Sequence, residues 1–359
     1  RVELQGVALV PLSFFRDAAA ARALAKKVAE HGGVLGAAVC CGDRGGFAED
    51  EFTTCAADRS ELLDRMFELA REMDLDLDFH ADENGNKPAR GLLEIASKTV
   101  QHGWQGRVVV GHVCSLAEQP HDQLRETLRA AREARLTVVS LPLVNQWTQD
   151  RVRRGGGSEG AGSGALGEDG RGGEDGRRDE DDENNGTLDK IAARSFSRAP
   201  RTPRRRGVTA LQELQAAGVA CALASDNTRD QFYAYGDLDM LEVLAQGVRA
   251  AHLDRPLGSW VLAGGQTPAR AMRLPGREGL CELRLGGPAD LVLFRARSYS
   301  ELFARPQADR VVVRGGRPLY LQPPPYEELD WTLEARGEEG GRDSEALKGR
   351  GSCGAEAQT

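Results

Sequence analysis

Short apolar segments alternate with amphipathic segments along most of the chain, and this alternation limits the fold more than any other feature. The apolar segments have strand character at residues 6–12, 33–39, 75–80, 107–112, 136–145 and 219–227. Helical patterns occupy residues 18–31, 59–73, 89–102, 121–134, 208–218 and 237–252. Strands that alternate with helices predict an α/β protein with a parallel sheet covered by helices.

Polar residues stand repeatedly where the predicted strands end, namely His80, His112, Asn145 and Asp226. A (β/α)8 TIM barrel collects its chemistry at the carboxyl ends of its strands, so the pattern favours that fold. A doubly wound open sheet would place a Gly-rich phosphate turn after an early strand, and this sequence has none. Because a barrel needs eight strands, the six seen here predict that the first two are missing or lie upstream.

Composition divides the chain into a partial barrel at residues 1–275, a small β unit at 276–325 and a flexible tail at 326–359. The segment at about residues 155–185 consists largely of Gly, Arg, Asp and Glu. Such a segment cannot bury enough apolar surface to offset the entropy lost on ordering. It is predicted to be a disordered insertion within the barrel.

Charge and cysteine content restrict the partners and the compartment. The net charge of −8 argues against nucleic-acid binding, and no apolar run is long enough to span a membrane. The seven cysteines form no CxxC pair, which indicates free thiols in a reducing compartment, either the cytoplasm or an organelle stroma. The sequence leaves a homo-oligomer open.

Four side chains carry the strongest chemical signal. Glu83 follows His80 by three residues, and a water molecule activated by a metal ion needs such a nearby base to accept its proton. Each residue also has an ordinary explanation: a solvated turn for His80 and Glu83, a core histidine for His112, and a helix cap for Asp226. His80, His112 and Asp226 follow the third, fourth and sixth predicted strands, and three metal-competent groups at one face are much harder to explain by chance.

Several stretches together resemble cytosine deaminase and its close relatives in the amidohydrolase superfamily. They are "DFHADENGN", "VVVGHVCSL", "LPLVNQWTQDR", "TPRRRGVTALQEL" and "ASDNTRDQFYAYGDLDMLEVL", and they occur in the order of the family. The resemblance covers residues 2–320 apart from the Gly-rich insertion. It implies a metal-dependent (β/α)8 barrel flanked by a β-sandwich.

The resemblance also implies roles for individual residues. His80 would be a metal ligand, and Glu83 would be the proton shuttle. His112 would hydrogen-bond the attacking water or the tetrahedral intermediate. Asp226 would be both a metal ligand and the base that activates water. The cofactor would be one divalent metal ion, iron or zinc.

The substrate pocket implied by the resemblance would be lined by Asn145, Asn227 and Phe232, and the substrate would be a small nitrogen heterocycle. Cytosine deaminase has a glutamine on its third strand that reads the pyrimidine, whereas this chain has Leu12 and Ser13 there. Asn227 stands in place of a second Asp. Because a site built to hydrogen-bond an amide discriminates through that pairing, these departures bear on the substrate.

The metal site departs from the family pattern as well. The family has a His-x-His pair on its first strand, and this sequence contains none. Two ligands, His80 and Asp226, are fewer than the three protein ligands typical of catalytic zinc. The remaining ligands are therefore expected upstream.

Three functions are compatible with the sequence. The first is hydrolysis of a non-peptide C–N bond, in the form of deamination of a cytosine-like or related nitrogen heterocycle. The second is a catalytically inactive or incomplete barrel that acts as a binding module. The third is hydrolysis of a cyclic amide or of a substituted amine, for which the same metal and water chemistry serves.

Overall fold

A computed structural model of the chain describes part of the sequence. The described residues are 4–39, 56–150, 202–230, 232–273, 283–320 and 325–331. The predicted insertion at 155–185, and the predicted tail apart from residues 326–331, lie outside them. The chain divides into one compact unit formed by Arg1–Leu285 with Ala296–Pro306 and another formed by Gly286–Arg295 with Gln307–Thr359. The predicted domain boundaries stay a prediction.

The first unit is built on a six-stranded parallel sheet whose strands follow one another in sequence order. The strands are β1 (Val7–Pro11), β2 (Val34–Val39), β3 (Leu77–Ala81), β4 (Val108–His112), β5 (Thr137–Ser140) and β6 (Ala220–Leu223). Buried strand residues such as Leu35, Phe79 and Val110 are fully covered. Parallel strands covered on their faces are expected to be this apolar. A parallel α/β sheet in sequence order fits the TIM-barrel type of fold.

Of the ten described α-helices, the first six lie between successive strands of the parallel sheet, and the other four follow β6 in the sequence. The ten helices are α1 (Ala18–Glu30), α2 (Ala56–Glu72), α3 (Gly91–Gln101), α4 (His121–Glu133), α5 (Pro142–Thr148), α6 (Leu211–Ala216), α7 (Met240–Ala251), α8 (Leu257–Val261), α9 (Gln266–Ala271) and α10 (Tyr299–Ala304). The Asp17 carboxylate caps α1 by accepting from the backbone N–H of Ala19 at 2.9 Å. The apolar face of α2 adds Phe67 and Met66 to the core beneath the sheet.

Two predicted strands are shorter than the sequence pattern indicated. The strand predicted at 136–145 ends at Ser140, and helix α5 begins at Pro142. Proline is well suited to the first helical position, where its fixed φ is favourable and its missing N–H would have no partner in the helix. The strand predicted at 219–227 ends at Leu223. Asn145 and Asp226 therefore lie beyond their strands, Asn145 in a helix and Asp226 in a loop.

The second unit contains a three-stranded antiparallel sheet of β7 (Leu291–Leu293), β8 (Val311–Arg314) and β9 (Arg317–Leu319). Gly315 and Gly316 join β8 to β9 with φ values of 54° and 77°. A two-residue hairpin turn with positive φ at both positions needs such residues, which explains the Gly-Gly pair.

No helix among the described residues combines the length and the apolar composition needed to cross a membrane.

Candidate active site

The carboxyl ends of β3 and β4 bring two imidazole rings together. His112 Nε2 lies 3.1 Å from His80 Nδ1, and the ring centroids are 4.6 Å apart. The register pairs His112 with Ala81, not with His80. In a regular sheet, successive side chains point to opposite faces, so His112 would share the face of Ala81. His112 instead has a φ of 71°, and this left-handed backbone accompanies the turn of its ring toward His80.

Positive φ values recur at this end of the sheet. Asp82 has a φ of 50°, Val113 has 50° and Asp226 has 65°. The value at Val113 is notable because a β-branched residue pays a steric penalty in this region. Strained backbone of this kind concentrates at functional sites, where the surrounding structure holds it in place.

Asp82 connects β3 to α3 and was not singled out in the sequence as a site residue. Its carboxylate accepts hydrogen bonds of 2.9 Å from the backbone N–H groups of Gly91 and Leu92, at the start of α3. A Cβ at Gly91 would lie 2.6 Å from Asp82 Oδ1, so a glycine leaves room for this contact. Burial raises the pKa of Asp82 to about 6, although the two backbone hydrogen bonds oppose the shift. In the sequence, the signal for these hydrogen bonds is an Asp that stands shortly before a turn and a helix, because Asp side chains often cap helix N-termini.

Glu83, His112 and Asn145 form a connected group. Asn145 Nδ2 donates to Glu83 Oε1 at 3.2 Å and lies 3.0 Å from His112 Nδ1. Glu83 Oε1 is 3.4 Å from the same His112 nitrogen. Asn145 and His112 are buried, whereas a quarter of the Glu83 side chain is exposed. The arrangement gives one carboxylate access to solvent and to a buried imidazole.

Asp226 approaches the group from the loop after β6. Its Oδ2 atom lies 3.9 Å from His112 Nδ1. That oxygen is buried and has no hydrogen-bond partner among the described residues. A buried carboxylate oxygen near an imidazole is donor chemistry that suits a divalent ion. Within the described parts of the chain, however, no three His, Cys, Asp or Glu side chains form a complete metal-binding group.

The electrostatics of these groups are dominated by burial. Burial raises the pKa of Glu83 to about 7. It raises the pKa of Asp226 as well, against the attraction of His112. Burial, with repulsion from His112, lowers the pKa of His80 to about 3, and burial also lowers that of His112. A glutamic acid with a pKa near neutrality can both accept and release a proton.

Two residues predicted to contact substrate lie in the loop next to Asp226. The side chain of Asn227 donates to Asp230 Oδ2 at 2.6 Å. Asp230 Oδ1 accepts from the backbone N–H groups of Phe232 and Tyr233, both at 2.9 Å. The Phe232 side chain is 39% exposed. Both residues thus belong to one hydrogen-bonded loop, and their contact with substrate stays a prediction.

Arg205 is a further residue that the sequence did not single out. A Cβ at Gly85 would fall 1.1 Å from Arg205 Nη1, so the guanidinium lies directly against the glycine that follows Glu83 by two residues. The neighbouring Gly207 has a φ of 77°, and a Cβ there would lie 2.5 Å from the backbone oxygen of Asn145. In the sequence, the glycines of "ENGN" and "RRRG" are the signals for these two close contacts, because only glycine leaves room for them.

Comparison with known proteins assigns the family. The model of the Amidohydrolase family matches residues 12–170 and 192–320. A pterin deaminase from Rhizobium rhizogenes is 36% identical over 335 residues, which is 93% of this chain and 62% of the relative. An N-isopropylammelide isopropyl amidohydrolase from a Pseudomonas species is 31% identical over 78 residues, or 22% of this chain and 19% of the relative. The chain thus spans 62% of the length of the pterin deaminase.

Solved structures share the fold at lower identity. A 5-methylcytosine deaminase from Klebsiella pneumoniae superposes with a TM-score of 0.63 at 19% identity, over 90% of this chain and 64% of that one. An N-isopropylammelide isopropylaminohydrolase from Burkholderia multivorans gives 0.58 at 20% identity, over 88% and 62%. The superfamily resemblance inferred from the sequence is confirmed, and the chain belongs to the amidohydrolase family.

Proposed function

We propose that the protein is a metal-dependent hydrolase that removes an amino group from a nitrogen heterocycle. The observation that carries the proposal is the placement of His112 at the carboxyl edge of a parallel sheet, where one ring nitrogen faces His80 and the other faces Glu83 and Asp226. The family is metal-dependent, and its fold places chemistry at this edge.

His80 and Asp226 would hold a single divalent ion, iron or zinc. The donor set fits such an ion, because burial keeps the His80 imidazole neutral and Asp226 Oδ2 has no partner among the described residues. When bound, the ion would supply the Lewis acidity that makes a water molecule nucleophilic near neutral pH. The described residues provide two ligands, so the proposal requires at least one more protein ligand outside them.

The remaining residues of the site would move protons and orient the reactants. Asp226 would accept a proton from the attacking water. Glu83 would deliver a proton to the ring nitrogen of the substrate and then to the departing ammonia. His112 would hydrogen-bond the oxygen that adds to the ring. Water and the amino compound would thereby give the oxo compound and ammonia.

The 36% identical relative makes a pterin the first substrate to test. Cytosine, the substrate class suggested by the sequence, is a second member of the panel. Leu12 stands in place of the pyrimidine-reading glutamine, and its aliphatic side chain has no amide to offer a substrate. It is 2% exposed and lies in the hydrophobic core. A substituted aminotriazine tests the third function.

We also infer that the six strands belong to an eight-stranded barrel, and that β7–β9 belong to a flanking β-sandwich.

The test is ammonia release by metal-supplemented protein from pterin, cytosine, 5-methylcytosine and an N-alkylated aminotriazine. We expect ammonia from at least one amino heterocycle, and release at least ~10²-fold slower from the variant Glu83→Gln. Ammonia release that is unchanged in this variant, or metal-loaded protein that is inert toward the whole panel, would refute the proposal. The non-catalytic binding module is not favoured, because the chain matches the Amidohydrolase family over most of its length and is 36% identical to a pterin deaminase.

A further inference from the structure

We propose that Asp82 is a positioning residue, which holds the Glu83 carboxylate in place by capping helix α3 from the far side of a loop. That loop consists of residues 83–90, and we call it the Glu83 loop. The inference rests on the proposed function, because that function makes Glu83 the group that delivers protons to the substrate.

The cap of α3 comes from a residue well before the helix. Asp82 Oδ1 accepts from the Gly91 N–H and Oδ2 accepts from the Leu92 N–H, each at 2.9 Å. The guanidinium of Arg90, directly before the helix, pairs instead with a carboxylate of α4 at 2.6 Å. A carboxylate at this place satisfies backbone donors that have no partner within the helix, and it meets the positive end of the helix dipole. The Asp82 side chain therefore joins the two ends of the Glu83 loop.

The backbone of Asp82 is fixed to the neighbouring strands. Its N–H donates to the carbonyl oxygen of Val39, the last residue of β2, at 3.2 Å. Its carbonyl oxygen accepts from the Ser115 N–H at 3.2 Å, in the segment that follows β4, and from the Asn84 N–H at 2.8 Å. Its φ of 50° is left-handed, and such a backbone persists where the surrounding contacts hold it. Asp82 thus ties the start of α3 to the carboxyl ends of β2 and β4.

The position of Glu83 depends on these contacts. Glu83 follows Asp82 directly, so its backbone starts from a residue that two strands and a helix hold. Gln149 Nε2 donates to the Glu83 carbonyl oxygen at 3.4 Å, and Asn145 Nδ2 donates to Glu83 Oε1 at 3.2 Å. Asp82 itself is fully buried, and both of its carboxylate oxygens bind N–H groups of α3. It therefore acts on the site through Glu83 and not by touching the substrate.

Asp17 offers a matched control, because it caps α1 with the same chemistry. Its Oδ1 atom accepts from the Ala19 and Ala20 N–H groups at 2.9 and 3.0 Å. These donors lie two and three residues along the chain, whereas Gly91 lies nine residues from Asp82. The Asp17 cap is exposed, and it encloses no residue of the candidate site. Loss of this cap should therefore leave the site as it is.

The first test compares the kinetics of Asp82→Asn and Asp17→Asn with those of the wild type. An amide in place of the Asp82 carboxylate points its NH₂ group at one of the two backbone donors, so one hydrogen bond is lost. We expect kcat of Asp82→Asn to fall by ~10²-fold with KM within about threefold of wild type, because a misplaced catalytic group slows the chemical step. Asp17→Asn should keep both constants. Asp82→Asn with wild-type kcat, with or without a higher KM, would overturn the inference.

The variant Gly91→Ala displaces the same carboxylate without removing it, and it decides the question if Asp82→Asn does not fold. A Cβ at Gly91 would lie 2.6 Å from Asp82 Oδ1, so the end of the Asp82 side chain must move. Alanine favours a helix more than glycine does, which supports folding of this variant. We expect kcat to fall by ~10-fold with little change in KM. A wild-type kcat in this variant would overturn the inference.

Amide hydrogen exchange of the full chain, without added metal, tests the positioning without any substrate. The N–H groups of Asn84, Asn86 and Ala89 are hydrogen-bonded within the Glu83 loop or to Asp82. They should exchange ~10-fold faster in both α3 variants, and at the wild-type rate in Asp17→Asn. Unchanged exchange in the α3 variants would overturn the inference. If the wild type turns over no substrate, the proposed function fails, and the exchange rates still decide whether Asp82 fixes the loop.

Discussion

Carboxylates at the carboxyl edge of the sheet and carboxylates between helices α2 and α3 are held in opposite ways. Between the helices, Asp64 accepts from Lys98 Nζ at 2.5 Å and lies 2.8 Å from His102 Nε2. Arg59 Nη2 donates to Glu94 Oε1 at 2.6 Å in the same interface. Burial acts to raise the pKa of Asp64, but the hydrogen bonds from His102 and Lys98 outweigh it, and the pKa is lowered.

At the carboxyl edge, Glu83 and Asp226 face His112 and an amide, and burial raises the pKa of both carboxyl groups. The difference shows which carboxylates of this fold are held in the charged form and which are not. Ion pairs between the helices stabilise the folded state, whereas the carboxylates at the edge face an amide and an imidazole of lowered pKa, which costs stability and suits them to proton transfer. Each variant below tests one side of this contrast.

The largest effect is expected for Glu83→Gln. The amide keeps the size of the side chain but cannot carry a proton, so kcat should fall by ~10²–10⁴-fold. The melting temperature should stay the same or rise, because the variant removes a largely covered carboxylate that faces an amide and an imidazole instead of a strong cation. Glu94→Gln is the matched control between the helices, with unchanged kcat and a lower melting temperature. A Glu83→Gln protein that melts earlier and keeps its kcat would reverse the contrast.

The next largest effect concerns metal binding. Zinc or ferrous iron at 100 times its dissociation constant should stabilise the wild type by about 2.7 kcal/mol. Asp226→Asn removes a ligand and should abolish this response, while Asp64→Asn should keep it. Thermal melts with and without the ion, together with metal content after dialysis, measure the effect. An equal response in Asp226→Asn would place the ion elsewhere.

A smaller effect is expected for Arg59→Met, which keeps much of the apolar stem but removes the charge. Glu94 would lose its bidentate partner in a region where the two side chains are 15% and 29% exposed. The free energy of unfolding should fall by about 1–3 kcal/mol, measured by urea denaturation. The kcat should be unchanged, and a lowered kcat at full stability would show that the interface acts on the site.

The smallest effect is the pH dependence of Asp64→Asn. A carboxyl group with a lowered pKa in the folded state stabilises the protein above its unfolded pKa, here ordinarily 3.8. That stabilisation is lost as the pH falls through the folded value. The variant should be less stable than wild type by about 1 kcal/mol at neutral pH. Urea titrations at falling pH should show this difference shrinking toward zero, and a constant difference would contradict the role of the charge.

Much of the fold could be predicted from local pattern. The apolar segments and amphipathic helices gave the order of the six parallel strands, because their periodicity reflects which face each element buries. The strand ends were harder to place. Pro142 converts the end of a predicted strand into a helix, and this moves Asn145 from a strand end into the turn that contacts Glu83 and His112.

The sequence by itself determined which residue types stand after which strands, and so identified His80, Glu83, His112 and Asp226 as one set. Only the tertiary structure decided how they meet. The register alone would turn His112 toward the face of Ala81, and only the three-dimensional structure shows the left-handed backbone that accompanies its turn toward His80. The contacts of Asn145 likewise join segments 33 and 62 residues apart. A periodic pattern records burial along one element, but it carries no information about side chains that distant strands bring into contact.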